Sequence, residues 1–149
     1  MNRRAAVLVA VFLVLVPAAS ATRGPAAVVR AWSAAVNRGD NEAAANLFAK
    51  NAVVAQGSYI LPLKTHRLAV LWNRGLPCAG HILSITVQKN VADATFRLSD
   101  RSPVRRCDAP GAKARAAFTV RNGKIAAFVQ LPVVAKKAPP KKKKGALAA

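Results

Sequence analysis

Few side chains in these 149 residues can do polar chemistry. There are two cysteines, Cys78 in LPCAGHI and Cys107 in RRCDAPG, two histidines, His66 and His81, and five carboxylates, Asp40, Glu42, Asp93, Asp100 and Asp108. Each type has a short repertoire. A carboxylate in an apolar pocket serves as a general base, a histidine as acid or base near neutral pH, and a cysteine pair as a staple, a metal clip or a reactive couple. The Cys and His residues follow no zinc-ligand spacing, and neither a glycine-rich phosphate loop nor a Ser-His-Asp order is present. The sequence therefore implies no metal and no cofactor.

The fate of the cysteines depends on compartment. The chain starts MNRRAAVLVAVFLVLVPAASA, with Arg3 and Arg4, an apolar run from Ala5 to Val16, then Pro17 and Ala19-Ser20-Ala21. That order is a secretory signal with cleavage after Ala21, and the run is shorter than the roughly 20 residues of a bilayer span. An uncleaved anchor is the alternative. In an exported protein an isolated cysteine pair oxidises, and a Cys78–Cys107 bridge would restrict the unfolded chain by roughly 3.5 kcal/mol.

At the other end, KKAPPKKKKGALAA offers no apolar face to bury and is expected to be a disordered tail. The division is thus a signal peptide over 1–21, one domain over 22–135 and a tail over 136–149. Of the 24 Lys and Arg, two lie in the signal and six in the tail, leaving 16 in the domain against all five acids. Such a balance suits anionic partners. Through Lys136, Lys137, Lys141, Lys142, Lys143 and Lys144 the tail can adhere to anionic cell-envelope polymers or phospholipid head groups, which makes the expected location secreted or envelope-associated. It has no aromatic residue for base stacking, so specific nucleic-acid recognition is not expected. The other reading of the basic excess is solubility: scattered Arg keeps an alanine-rich surface in solution.

The elements that must position this chemistry are legible from periodicity. After Pro25, Val28, Trp32, Ala35 and Val36 recur at helical spacing up to Gly39. Asp40 caps a second predicted helix, DNEAAANLFAK, anchored by Leu47 and Phe48. NAVVAQG reads as a strand, SYILPLK as irregular or extended around Pro62, and Thr65 as the cap of a short helix with Leu68, Leu71 and Trp72 on one face.

Two hairpins follow. A two-residue turn at Lys89-Asn90 puts His81, Leu83, Ile85 and Val87 on one core face with Ala92, Ala94, Phe96 and Leu98, His81 lying opposite Leu98. It also puts Asp93 and Arg97 on the polar face as a surface pair, and Cys78 opposite Arg101, so RSPVRRC must turn back, with Pro103 helping, to bring Cys107 to it. The second turn, Asn122-Gly123, is the preferred pair for type I′. It aligns Ala114, Ala116, Phe118 and Val120 with Ile125, Ala127, Val129 and Leu131, and leaves Ala117 beside Phe128 on the far face.

The stretches VVRAWSAAVNRGDNEAAANLFAKNAVV, LPCAGHI and CDAPGAKARAAFTVRNGKIAAFVQLP, in this order of elements, resemble the nuclear transport factor 2-like superfamily, in particular small secreted actinobacterial members of it. The superfamily also holds ketosteroid isomerases, limonene epoxide hydrolases and SnoaL-like polyketide cyclases. The resemblance implies an α+β cone, two to three N-terminal helices on a curved, mainly antiparallel sheet, with a pocket at the open end and frequent dimerisation through the sheet. It implies no reaction, because one fold hosts many functions.

Neither the isomerase carboxylate nor the hydrolase Asp-Arg-Asp arrangement transfers onto this sequence. His81 is the candidate acid–base group, and Trp32, Tyr59, Trp72, His81 and Phe96 are the candidate lining of an apolar ligand cavity; plain core packing is the competing reading of the aromatics. Two functions stay open: a secreted domain binding a hydrophobic small molecule or a partner, or an isomerase or cyclase acting on a hydrophobic substrate. A cavity reached by His81 and a second polar group would favour the enzyme.

Overall fold

The computed structural model describes residues 23–101 and 105–133. The expected signal segment, the tail with its six lysines and Pro103 lie outside the described residues.

The first helix, α1 (Pro25–Asn37), buries Val28, Val29, Trp32, Ala35 and Val36 on one face. Gly39, at φ 74°, turns the chain, and the Asp40 carboxylate accepts from the Ala43 N–H at 2.9 Å, capping α2 (Asn41–Ala45). This second helix is much shorter than expected. Residues from Phe48 onward belong to β1 (Phe48–Gln56), because the Phe48 ring packs 5.5 Å from that of Trp72 while its backbone pairs with Ile125 of a central strand. Long-range pairing overrides the local helix preference of the alanine run.

The next segment is a strand, β2 (Tyr59–Leu63), antiparallel to β1. Pro62 is tolerated there because β2 is an edge strand. Thr65 accepts from the Leu68 N–H at 3.2 Å to cap α3 (His66–Gly75), whose buried residues are Ala69 and Asn73, while Leu71 is exposed. The rest is β3 (Ala79–Gln88), β4 (Val91–Ser99), β5 (Lys113–Arg121) and β6 (Lys124–Leu131). The six strands run β2-β1-β6-β5-β4-β3, and only β1 and β6 are parallel. The result is an α+β domain with its helices on one face of an open sheet.

Both hairpins start in the expected register, and both slip by one residue. Gln88↔Val91 through Ser84↔Thr95 are as derived; beyond them Ile82 faces Phe96 and His81 faces Arg97. Leu83 is the extra residue of a bulge. Its insertion turns Ile82 against the core and leaves Leu83 and His81 exposed, which corrects the expected placement of His81 opposite Leu98. In the second hairpin Val120↔Ile125 is followed by Thr119↔Ala127 and Phe118↔Phe128. Phe128 therefore packs inside, while Val129 moves out beside Ala117, the reverse of the expected faces.

Each bulge exchanges a regular ladder for burial of a large side chain. Trp32 sits at the centre, with ring centroids 5.1 Å from Phe118, 5.9 Å from Phe128, 6.2 Å from Phe96 and 6.4 Å from Trp72. Beyond β4 the chain doubles back as expected: Arg101 and Arg105 exchange backbone N–H···O bonds of 3.1 and 3.2 Å. This return brings Cys107 into a disulfide with Cys78, their Cα atoms 4.5 Å apart.

Candidate functional site

A cavity of about 160 Å³ lies between α1, the inner face of the sheet and the segment Leu76–Gly80. Its walls are mostly carbon: Trp32 and Val36 from α1, Leu76, Phe96 and Leu98 from the α3–β3 side and β4, Ala114 and Ala116 from β5, and Phe128 from β6. The alanines matter because small residues on β5 leave the space that large ones would fill.

One wall is locked by Gly80. The Ser33 hydroxyl and the Asn37 amide nitrogen each donate to the Gly80 carbonyl at 3.0 Å, and the Gly80 N–H donates to the Asn37 amide oxygen at 2.9 Å. These bonds tie the start of β3 to the end of α1 and consume the polar groups of that wall. A Cβ at residue 80 would sit 3.2 Å from Cβ of Phe96. Gly80→Ala should therefore push the Phe96 ring and cost about 1–2 kcal/mol in a chemical denaturation curve; an unchanged midpoint would show that the ring yields freely.

The polar end of the cavity is built from amides. Gln56 and Gln130 stand one residue beyond the Ala55↔Val129 pair on the parallel strands β1 and β6, and both line the cavity. The Trp72 indole N–H donates to the Gln56 amide oxygen at 3.0 Å, a bond that leaves the Gln56 amide nitrogen unused. Arg115 also borders the cavity, but its guanidinium holds Asp93 in a two-pronged pair of 2.9 and 2.6 Å. That hydrogen bonding, then the charge of Asp93, raises the Arg115 pKa above its usual value. The expected Asp93–Arg97 pair is thus corrected, since Arg115 takes the carboxylate.

Behind the wall lies a buried polar node. Asn73 accepts from the Trp32 indole N–H at 2.9 Å and donates to the Ala69 carbonyl at 2.8 Å. Arg101, only 6% exposed, donates from Nε to the Val36 carbonyl at 3.1 Å and from one terminal nitrogen to the carbonyls of Asn73 (2.6 Å) and Leu76 (3.1 Å). Its other terminal nitrogen donates to the Asn41 side-chain oxygen. Burial, then the nearby charge of Arg105, lowers the Arg101 pKa, yet a guanidinium remains charged in a protein. Here the carbonyl ends of α1 and α3 take the place of a carboxylate.

Of the residues singled out from sequence, Trp32 and Phe96 line the cavity, and Trp72 lies behind them, stacked on Trp32. Tyr59 is 80% exposed on the edge strand, and His81 is exposed on the outer face, so neither belongs to the cavity wall. None of the five carboxylates lines it either: Asp40 caps α2, Glu42 meets His66 at 2.8 Å, Asp93 is held by Arg115, Asp100 accepts from the Cys107 N–H at 2.9 Å, and Asp108 is exposed. Among the described residues no group of three or more His, Cys, Asp or Glu could hold a metal ion, and no helix is long and apolar enough to cross a membrane. The lining amides and Gly80 escaped sequence reasoning: a lone Gln on a strand carries no signal, and the bulge in β6 hides which face Gln130 occupies.

Several solved structures share this architecture. A candidate polyketide cyclase from Sinorhizobium meliloti matches with a TM-score of 0.54 at 22% identity, over 70% of this chain and 93% of its own. An NTF2-like protein of unknown function from Cytophaga hutchinsonii matches with a TM-score of 0.61 at 10% identity, over 74% and 92%. A cystatin-fold protein from Novosphingobium aromaticivorans gives 0.59 at 12% identity, over 74% and 99%. The chain has the nuclear transport factor 2-like fold. No family model and no curated protein matches the sequence.

Proposed function

From this fold and cavity, we propose that the domain is an exported binding protein for one small, largely apolar molecule carrying a single hydrogen-bonding group. The observation that carries the reading is the composition of the cavity wall: aromatic and aliphatic carbon on most sides, with the Gln56 and Gln130 amides at one end. Size narrows the class. A volume of about 160 Å³ is well below the roughly 300–1,000 Å³ of drug-sized sites and close to the roughly 150 Å³ of an apolar cavity that accepts benzene. A single ring or a short branched chain fits that space.

Catalysis on a hydrophobic substrate, the activity suggested by a candidate cyclase among the similar folds, finds less support. Acid–base turnover needs a carboxylate or histidine within hydrogen-bond reach of the reacting atom, and the wall supplies amides, the Ser33 hydroxyl held on Gly80 and the Arg115 held on Asp93 instead. Export, and adhesion to an anionic envelope through Lys136, Lys137 and Lys141 to Lys144, belong to the same proposal and rest on the sequence of the two chain ends.

Both tryptophans touch the site region, so binding is readable by fluorescence. We expect p-cresol to quench the emission saturably, and Ala116→Leu, which fills the cavity, to abolish the effect. Gln130→Leu, at an exposed position that folding should tolerate, is expected to weaken p-cresol about tenfold, one neutral hydrogen bond's worth, and to leave toluene unchanged. Equal p-cresol binding by all three proteins would sink the assignment.

A further inference from the structure

The outer face of the sheet, turned away from α1, carries a row of two cations and a histidine with no carboxylate paired to them among the described residues. Because of the bulge at Leu83, His81 on β3 stands directly opposite Arg97 on β4, and Arg97 stands opposite Lys113 on β5. All three are exposed. Directly opposed residues have Cβ atoms roughly 4.5–5.5 Å apart, and like charges so placed destabilise a sheet. Asp93, the carboxylate that shares this face, is already held by Arg115. The strand neighbours of the row, Thr95 and Ser99 on β4, bring no negative charge.

The same face has an apolar ledge. Ile60, Ala55, Val129 and Ala117 form one cross-strand row over β2, β1, β6 and β5, with Ile60 74% and Val129 39% exposed. Ala117 and Lys113 are on one strand, roughly 13 Å apart at the usual rise. Cations and ledge therefore fall within a single footprint a few lipid head groups wide.

The geometry points to an anionic lipid surface as the partner of this face. A soluble polyanion would use the cation row and leave the ledge in water. A second copy of the chain would set two strongly basic domains against each other, each with 16 Lys and Arg against five acids. A bilayer interface satisfies both parts, phosphate on the cations and the glycerol–acyl boundary on the ledge. The inference is independent of what the cavity holds.

The test is co-sedimentation of the exported chain, lysine tail included, with phosphatidylcholine vesicles containing one third phosphatidylglycerol, against pure phosphatidylcholine. Binding is expected to the anionic vesicles only. R97T/K113T should bind about thirtyfold more weakly, the equivalent of roughly 1 kcal/mol per cation, with a melting temperature equal to or above that of the parent. I60S/V129S should lose about tenfold. If both variants bind like the parent, the tail alone makes the contact and the inference fails. It fails equally if I60S/V129S binds normally and inorganic polyphosphate displaces the parent, since the partner is then a soluble polyanion. A parent dimer in light scattering that I60S/V129S converts to monomer would assign the face to a second copy and overturn the lipid assignment.

Discussion

Replacing Arg101 with methionine is expected to lower the stability of the domain by about 3 kcal/mol, or roughly 12 °C in melting temperature for a domain of this size. The magnitude follows from what the guanidinium holds. Its bonds go to the carbonyls of Val36, Asn73 and Leu76 and to the Asn41 side chain, so one buried group fastens the ends of α1 and α3 and the start of α2. Methionine fills the volume but removes the charged donor from all four. The carbonyls of Val36, Asn73 and Leu76 keep weaker partners in the Gly39 and Leu76 N–H groups and Arg105, while the Asn41 oxygen loses its donor, and hydrogen bonds to a charged group contribute about 1.5–3 kcal/mol. Water entering from the helix ends should recover part of that, which is why the figure is not larger. Lysine keeps the charge yet not the planar fork that reaches divergent acceptors, so Arg101→Lys should recover less than half. Urea unfolding of the three proteins checks the series. Equal midpoints for the parent and the Arg101→Met variant would mean the helix ends are held by packing alone.

Arg101 also shows where sequence reading reaches its limit. In RSPVRRC it is one of three arginines in seven residues, and nothing local distinguishes the buried one from its exposed neighbours Arg105 and Arg106. The distinction arises when three helix ends converge on one point, a long-range event. What was legible was periodic or chemically forced: the buried stripe Val28, Trp32, Ala35 and Val36, the Asp40 and Thr65 caps, and the turns at Lys89-Asn90 and Asn122-Gly123 with their first pairs.

The strand faces that were misassigned failed at the bulges. A strand pattern of period two assumes one residue per rung, so one inserted residue inverts every face beyond it. His81 left the core in that way, and Phe128 entered it. The aromatic part of the candidate site was thus half legible: Trp32, Trp72 and Phe96 cluster because helix periodicity and the alternation of β4, which carries no inserted residue, placed them. Tyr59 was misplaced because Pro62 leaves its segment open between irregular chain and edge strand, and neither reading fixes which way residue 59 faces.

Removing the disulfide, as C78S/C107S, is expected to lower stability by roughly 3.5 kcal/mol while changing p-cresol affinity less than about threefold at temperatures well below the melt. The first half follows from chain entropy. The bridge closes a loop of sequence separation 29, and opening such a loop enlarges the unfolded ensemble by about that free energy. The second half follows from where the native wall is held. Cys78 borders the cavity, but the wall beside it is fastened independently, by Ser33 and Asn37 on the Gly80 backbone and by Arg101 on the Leu76 carbonyl. The Arg101–Arg105 backbone pair and the Asp100 bond to the Cys107 N–H keep the return segment in place without the sulfurs. Denaturant midpoints and fluorescence titrations on one preparation separate the two effects. A large loss of affinity with little loss of stability would show that the bridge shapes the native cavity and that the Gly80 clamp is too weak to do so alone.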